Sequence, residues 1–128
     1  MAQKHTTIRD GRKLLWYTEG LWLKCENLVS FELEISTIKE LDQNCWFDSR
    51  EPTLREVAKH FSRIQTAELT YPIILNDDGS LMDGGHRICK ALLGGQTKIM
   101  AVQFKKMPDP DEITDLNGSL PMPKIPND

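Results

Sequence analysis

Apolar and polar residues alternate between positions 30 and 35, where the sequence reads SFELEI. Phe31, Leu33 and Ile35 share one face of an extended chain, while Glu32 and Glu34 share the other. Alternation with a period of two is typical of a strand with one buried face. The pattern therefore predicts the first clear strand of a sheet in this segment.

The first 27 residues carry a weaker pattern. The first dozen are polar, show no apolar period and are predicted to be frayed. Thr18 is a candidate N-cap for a helix in which Leu21 and Trp22 lie four and three residues before Cys25. Residues 13–17 fit a short strand ahead of that helix equally well.

The clearest helix is predicted in TLREVAKHFSRIQTAEL, residues 53–69. Thr53 and Glu56 have the spacing of a capping box. Its apolar residues recur every three to four positions and are predicted to face the core: Leu54, Val57, Ala58, Phe61 and Ile64. His60 lies beside this stripe and is interpreted as a border residue rather than a ligand. The preceding loop has two aromatic residues that are predicted to pack inward, Trp46 and Phe47.

A hairpin and a second helix follow the long helix. The apolar run YPIIL (residues 71–75) and the returning strand LMD (residues 81–83) flank NDDGS, a strong turn signal. Residues 86–93 are predicted to be helical, with Gly94 and Gly95 as a left-handed stop. The next segment, TKIMAVQF, is predicted to be the last strand.

The order strand, long helix, hairpin, short helix, strand predicts an α+β fold, with a small mixed β-sheet packed against helices. Residues 1–107 are predicted to form a single domain with an N-terminal extension. Residues 108–128 contain five of the seven prolines and few periodic apolar residues. They are predicted to form an extended or disordered tail.

Composition narrows the possible functions. The chain has 128 residues and a formal net charge of −3, which gives no overall attraction to nucleic acid or to an anionic membrane. It has no apolar run long enough to span a bilayer, and its N-terminus lacks the hydrophobic stretch of a signal peptide. The three cysteines form no CxxC pair and have no metal-ligand spacing with the three histidines. We expect a cytoplasmic protein with reduced thiols.

The segment DGGHR, residues 83–87, lies where the returning strand is predicted to pass into the second helix. The first turn of a helix has unpaired N–H groups and the positive end of the helix dipole, so it attracts anions. Gly84 and Gly85 lack a Cβ atom, and His86 and Arg87 add donors. The alternative is a tight turn in which Arg87 pairs with Asp83. The segment matches neither GxxxxGK[ST] nor GxGxxG.

The stretch from Ser30 to Phe104, above all YPIILNDDGSLMDGGHRICKALLGGQTKIMAVQF, resembles the ParB/sulfiredoxin-like family. In that family a strand, a turn and a second strand lead through a D-G-x-H-R or G-x-R-R junction into a helix that ends in Leu-Gly. A last strand follows. The resemblance implies a phosphate-binding loop that holds ATP, ADP or CTP with four residues: Gly84, Gly85, His86 and Arg87.

Hydrolysis or phosphoryl transfer would also require carboxylates for Mg²⁺ and a proton-transfer group. Asp83 lies beside the loop and is the expected Mg²⁺ ligand, and Asp83 and His86 are the candidate catalytic residues. Glu32 and Glu34 are weaker candidates, because carboxylates on the exposed face of a strand are more often simply solvated.

The sequence departs from two branches of this family. Sulfiredoxins have a reactive cysteine immediately before His-Arg, where this chain has Gly85, and Cys89 lies one helical turn later. We therefore expect no sulfinic acid reductase activity. The acidic, proline-rich C-terminal segment leaves no room for the helix-turn-helix region of partitioning proteins, so sequence-specific DNA binding is not expected.

The competing interpretation is a non-catalytic protein-interaction module that keeps the fold. It would bind a protein partner through the acidic tail or through the aromatic residues near the N-terminus, Trp16, Tyr17 and Trp22.

Overall fold

The computed structural model describes residues 4–47 and 50–114. In chain order, its regular elements are β1 (Lys4–Arg9), β2 (Arg12–Tyr17), α1 (Thr18–Lys24), β3 (Phe31–Glu34), α2 (Leu54–Thr66), β4 (Ile73–Leu75), β5 (Leu81–Asp83), α3 (Gly85–Leu93), β6 (Lys98–Gln103) and β7 (Glu112–Thr114). Two short 3-10 turns, Ile35–Thr37 and Lys39–Asp42, lie between β3 and α2. The predicted α+β fold is confirmed.

The chain divides into two compact units. The central unit is Leu28–Lys105, and the terminal unit joins the N-terminal 27 residues to the segment that starts at Lys106. The sequence predicts one domain through residue 107, whereas the contacts place the division after Asn27 and again after Lys105. The residues predicted to be an extension therefore form a compact unit with part of the predicted tail.

The terminal unit is a three-stranded antiparallel sheet, in the order β1-β2-β7, with α1 after β2. Asp10 and Gly11 link β1 to β2 with φ angles of 53° and 72°. Two successive positive φ values are typical of a tight hairpin turn, which Asp-Gly favours. Trp16 and Leu21 are fully buried, and the Trp16 indole donates to the carbonyl of Pro108 at 3.1 Å.

Two expectations about the ends of the chain differ from the structure. The sequence pattern predicts that the first dozen residues are frayed, but Lys4–Arg9 pairs along its whole length with β2. The predicted tail contains β7, in which Ile113 is buried and pairs with Leu14 of β2. Residues 115–128 lie outside the described residues. A local hairpin with β2 orders the N-terminal strand, whereas β7 is ordered by pairing with a segment distant in the sequence.

The central unit contains a four-stranded mixed sheet in the order β3-β6-β4-β5. Strand β6 runs antiparallel to β3 and parallel to β4, while β4 and β5 form the predicted antiparallel hairpin. In the turn between them, the N–H of Asn76 donates to the carbonyl of Ser80 at 2.8 Å, and Gly79 has a φ of 87°. After this turn, β5 runs from Leu81 to Asp83 and leads through Gly84 into α3.

The core of the central unit joins the sheet to α3 and to the segment that follows β3. Its buried members are Ile35, Ile38, Ile73, Leu75, Ile88, Ala91, Ile99 and Ala101. Ile88 and Ala91 come from α3, which ends at Leu93. Of the two glycines predicted as its left-handed stop, Gly95 has a φ of 78°, whereas Gly94 has a φ of −78°. The core therefore fixes α3, and with it the junction between β5 and α3.

Helix α2 contributes no buried residue, which contradicts the predicted inward stripe. Leu54 is 91% exposed, Phe61 50% and Val57 47%. The core cluster is formed by α3, the sheet and the segment after β3, so α2 lies outside it and packs against α3. Ile64 is half-buried.

None of the helices within residues 4–47 and 50–114 is both long and apolar enough to cross a membrane.

Candidate functional site

The junction between β5 and α3 has the predicted strand-to-helix geometry. Gly84 is the N-cap of α3, with a φ of 126°, and its carbonyl accepts from the N–H of Ile88 at 3.0 Å. The first turn of α3 has no side-chain cap and no acidic residue. The positive end of the helix dipole is therefore not offset by a carboxylate within that turn.

Side chains of the protein occupy the space beside both glycine α-carbons. A Cβ atom on Gly84 would lie 2.6 Å from Cγ2 of Ile73, which is fully buried. A Cβ atom on Gly85 would lie 3.3 Å from Cζ2 and Nε1 of the Trp46 indole. Gly84 is therefore needed for close packing, and Gly85 leaves little room beside the Trp46 indole, so an anion would have to approach the backbone N–H groups rather than the α-carbons.

Arg87 and Asp83 form an ion pair. Nη2 of Arg87 donates to Oδ2 of Asp83 at 2.8 Å, and the two side chains are only 8% and 17% exposed. This is the pairing that the sequence leaves open as the alternative to phosphate binding. Because the charges oppose each other at short range, the pair adds little net charge to the loop.

His86 lies in an aromatic cluster with two residues that the sequence does not assign to the site. Nδ1 of His60, on α2, is 2.8 Å from Nε2 of His86. The indole of Trp46 stacks on both imidazoles, with centroid distances of 4.3 Å to His60 and 4.5 Å to His86. Phe47 meets His60 edge-on at 5.1 Å. We call Trp46, His60 and His86 the imidazole cluster.

Both histidines of the imidazole cluster are neutral at pH 7. Burial lowers the pKa of His86 to about 4, with His60, Arg63 and Arg87 acting in the same direction and Asp83 against it. Burial also lowers the pKa of His60, aided by Arg63 and opposed by Glu56. In a hydrogen bond between two neutral imidazoles, one ring donates and the other accepts. The cluster therefore contains hydrogen-bond donors and acceptors but no positive charge of its own.

The other candidate carboxylates lie elsewhere. Glu32 and Glu34 are on β3, at the opposite edge of the sheet from β5. Both are exposed and lie 3.6 Å and 3.9 Å from Nζ of Lys98. Within the described ranges, no group of three or more His, Cys, Asp or Glu side chains is placed to hold a metal ion.

The described cysteines form no disulfide. Burial raises the pKa of the Cys89 thiol, so at neutral pH it is protonated rather than a reactive thiolate. The pKa of Cys45 is also raised, by burial first and then by Glu40 and Cys89.

No protein-family model matches this chain, and comparisons with curated proteins and with solved structures find no significant similarity. The ParB/sulfiredoxin-like resemblance rests on the sequence motif alone.

Proposed function

We propose that the central unit binds the phosphate groups of a nucleotide (ATP, ADP or CTP) at the N-terminal end of α3. One observation carries this function. The first turn of α3 follows a glycine N-cap, has neither an acidic residue nor a side-chain cap, and contains His86 of the imidazole cluster. Backbone N–H groups, the helix dipole and a neutral imidazole donor together suit an anion. The motif that resembles the ParB/sulfiredoxin-like family coincides with this turn.

The geometry assigns the phosphates to fewer groups than the four residues that the sequence resemblance implies. The Arg87 guanidinium is buried against Asp83, so we assign it to supporting the loop. The N–H groups of Gly85 and His86 and the imidazole of His86 are assigned to the anion. A neutral ligand set of this kind binds through aligned dipoles and hydrogen bonds.

An anion would also select one arrangement of hydrogens within the imidazole cluster. When His60 donates from Nδ1 to Nε2 of His86, the hydrogen of His86 is on Nδ1, where it can be donated. In the opposite arrangement Nδ1 of His86 has a lone pair, which repels an anion. His60 is therefore a positioning residue for His86.

Mg²⁺ fits this site only with the help of the nucleotide. Asp83 is the carboxylate next to the loop, and it accepts a hydrogen bond from Arg87. Mg²⁺ is often held through one or two carboxylates together with substrate phosphates. We therefore propose binding alone, with Mg²⁺ carried mainly by phosphate oxygens and Asp83 as its nearest protein group.

Titration calorimetry with ATP, ADP and CTP, each with and without Mg²⁺, tests this function. Inorganic triphosphate, which has phosphates but no base, separates recognition of the phosphates from recognition of the base. We expect His60→Leu to weaken binding about fivefold, since one oriented hydrogen bond is worth about 1 kcal/mol. His60→Asn, which keeps a donor near the Nδ1 position, is expected to lose less affinity. His5→Leu, in the terminal unit, and Cys89→Ser are the controls. Absence of binding by every nucleotide at millimolar concentration would overturn the proposal.

A further inference from the structure

The two imidazoles of the imidazole cluster lie side by side under one face of the Trp46 indole. Their ring centroids are 5.1 Å apart, their planes differ by 16°, and Nδ1 of His60 is 2.8 Å from Nε2 of His86. Each imidazole stacks on the indole, at centroid distances of 4.3 Å and 4.5 Å. Two rings so close to each other cannot lie on opposite sides of a third ring, so both cover the same face of Trp46.

Phe47 contacts Trp46 from the side of the imidazoles. It is nearly perpendicular to both neighbouring rings, and its centroid is 5.1 Å from that of His60 but 6.2 Å from that of Trp46. A ring above the opposite face of the indole would be farther from His60 than from Trp46. Within residues 4–47 and 50–114, therefore, no aromatic ring stacks on that opposite face. We call it the outer face of Trp46.

The first turn of α3 meets the indole at its edge. A Cβ atom on Gly85 would lie 3.3 Å from both Nε1 and Cζ2 of Trp46, but 3.6 Å from Cε2, the ring atom between them. An atom above the ring at this point would be nearest to Cε2, so Gly85 lies close to the plane of the indole. Gly85 therefore leaves the outer face uncovered and lies directly beside it.

Trp46 is half-buried, and its ring contacts with the imidazoles and Gly85 are on one face and one edge. The exposed part of the side chain therefore includes the outer face. Single exposed aromatic residues are ordinary, but this indole is already held in one orientation by its neighbours. A planar ring that stacks on it would cause little further loss of side-chain freedom.

We propose that the outer face of Trp46 stacks on the base of the nucleotide whose phosphates bind at the first turn of α3, an inference that rests on the function proposed above. A phosphate held by the N–H of Gly85 lies at the edge of the indole, and the ribose carries the attached base from there over the ring. Every base has a π-face that can stack on an aromatic side chain. A bare polyphosphate has no such group, so Trp46 makes the site selective for nucleotides.

Titration calorimetry on the full chain compares ATP and CTP with inorganic triphosphate. We expect Trp46→Leu to weaken binding of ATP and CTP about fivefold more than binding of triphosphate, as the loss of stacking with one base implies. Trp46→Phe, which keeps an aromatic face, should lose less nucleotide affinity than Trp46→Leu. Trp22→Leu, at an exposed tryptophan of α1, is the matched control and should change the affinity for none of the three ligands.

Quenching of Trp46 fluorescence by acrylamide measures access to the outer face without removing the indole. The chain has three tryptophans, so a Trp22→Phe variant retains Trp46 and Trp16, which is fully buried. Saturating ATP or CTP should protect Trp46 from acrylamide, whereas saturating triphosphate should not. This measurement stands even if Trp46→Leu fails to fold.

Equal losses of affinity for nucleotide and triphosphate in Trp46→Leu would overturn the inference, because Trp46 would then act only by supporting the imidazole cluster. The phosphate site would stand in that case. Acrylamide quenching that bound nucleotide leaves unchanged would overturn the inference as well. If none of the three ligands binds, the proposed function itself fails, and the stacking role of Trp46 fails with it.

Discussion

Gly84 combines a left-handed backbone with a close contact, so it is the position in the loop least able to accept a side chain. Its φ is 126°, and a Cβ atom would lie 2.6 Å from Ile73. We expect Gly84→Ala to lower the free energy of unfolding by about 3 kcal/mol, since backbone strain and overpacking each cost about 1–3 kcal/mol. Gly95→Ala is the matched control, because Gly95 has a φ of 78° but a Cβ atom there would meet nothing within 4 Å. Urea denaturation measures the free energy of unfolding of both variants. An equal decrease in Gly84→Ala and Gly95→Ala would contradict the packing role of Gly84.

Arg87 is expected to act on stability more than on ligand affinity. Arg87→Ala would remove the Arg87 guanidinium from the largely buried Asp83 carboxylate, and removing one member of a buried ion pair typically costs about 3–5 kcal/mol. Adding Asp83→Asn to that variant should restore part of the loss, because it removes the buried negative charge. Melting temperature and nucleotide affinity of the folded protein are the two measurements. A variant that keeps its stability but loses affinity would show that the guanidinium is a phosphate ligand instead.

His86 makes stability depend on pH. Its pKa in the folded protein is about 4, below the ordinary 6.5, so the unfolded chain takes up a proton first as the pH falls. Binding of that proton favours unfolding, and the contribution of His86 to stability therefore declines as the pH falls from about 6.5 to 4. The lowered pKa of His60 acts in the same direction. The melting temperature of the wild type should therefore fall relative to that of His86→Gln as the pH is lowered from about 6.5 to 4. A difference that stays constant with pH would contradict this, and His5→Gln is the control.

The end of α2 depends on a side chain from α3. Carbonyls in the last turn of a helix have no partner within the helix, and Lys90 supplies one for Gln65 and Ala67. We expect Lys90→Met to speed amide hydrogen exchange in the last turn of α2 about fivefold, as loss of about 1 kcal/mol implies. Lys98→Met removes only exposed ion pairs and should leave α2 unchanged. Unchanged exchange in Lys90→Met would mean that α2 is held by its other contacts.

The division into two units predicts that a core substitution lowers mainly the stability of the unit that contains it. Ile113 is buried in the terminal unit, so Ile113→Ala should cost that unit about 2–5 kcal/mol. Trp16 reports on the terminal unit and Trp46 on the central unit, provided that the other tryptophans are replaced by phenylalanine. We expect the unfolding midpoint from Trp16 to move more than that from Trp46. Equal shifts would show that the chain unfolds as one cooperative unit.

Local interactions are the part of this protein that the sequence determines by itself. The capping box at Thr53 and Glu56, the NDDGS turn and the left-handed stop at Gly95 each involve residues within a few positions of one another. Their energies depend on backbone conformation and nearby hydrogen bonds, so the sequence pattern predicts them. The strand-to-helix junction at residues 83–87 is confirmed for the same reason.

Contacts between distant segments are the part that only the tertiary structure decides. Periodicity shows which residues of α2 share a face, but other elements fill the central core, so the apolar residues Leu54, Val57 and Phe61 are left exposed. No spacing in the sequence links Trp46, His60 and His86, which come together because α2 packs on α3 and the loop that carries Trp46 lies against both imidazoles. Strand β7 likewise is ordered by pairing with β2, which is distant in the sequence. The spacing of apolar residues along the chain predicts the apolar face of a helix or strand, and only the packing of the folded chain determines what covers that face.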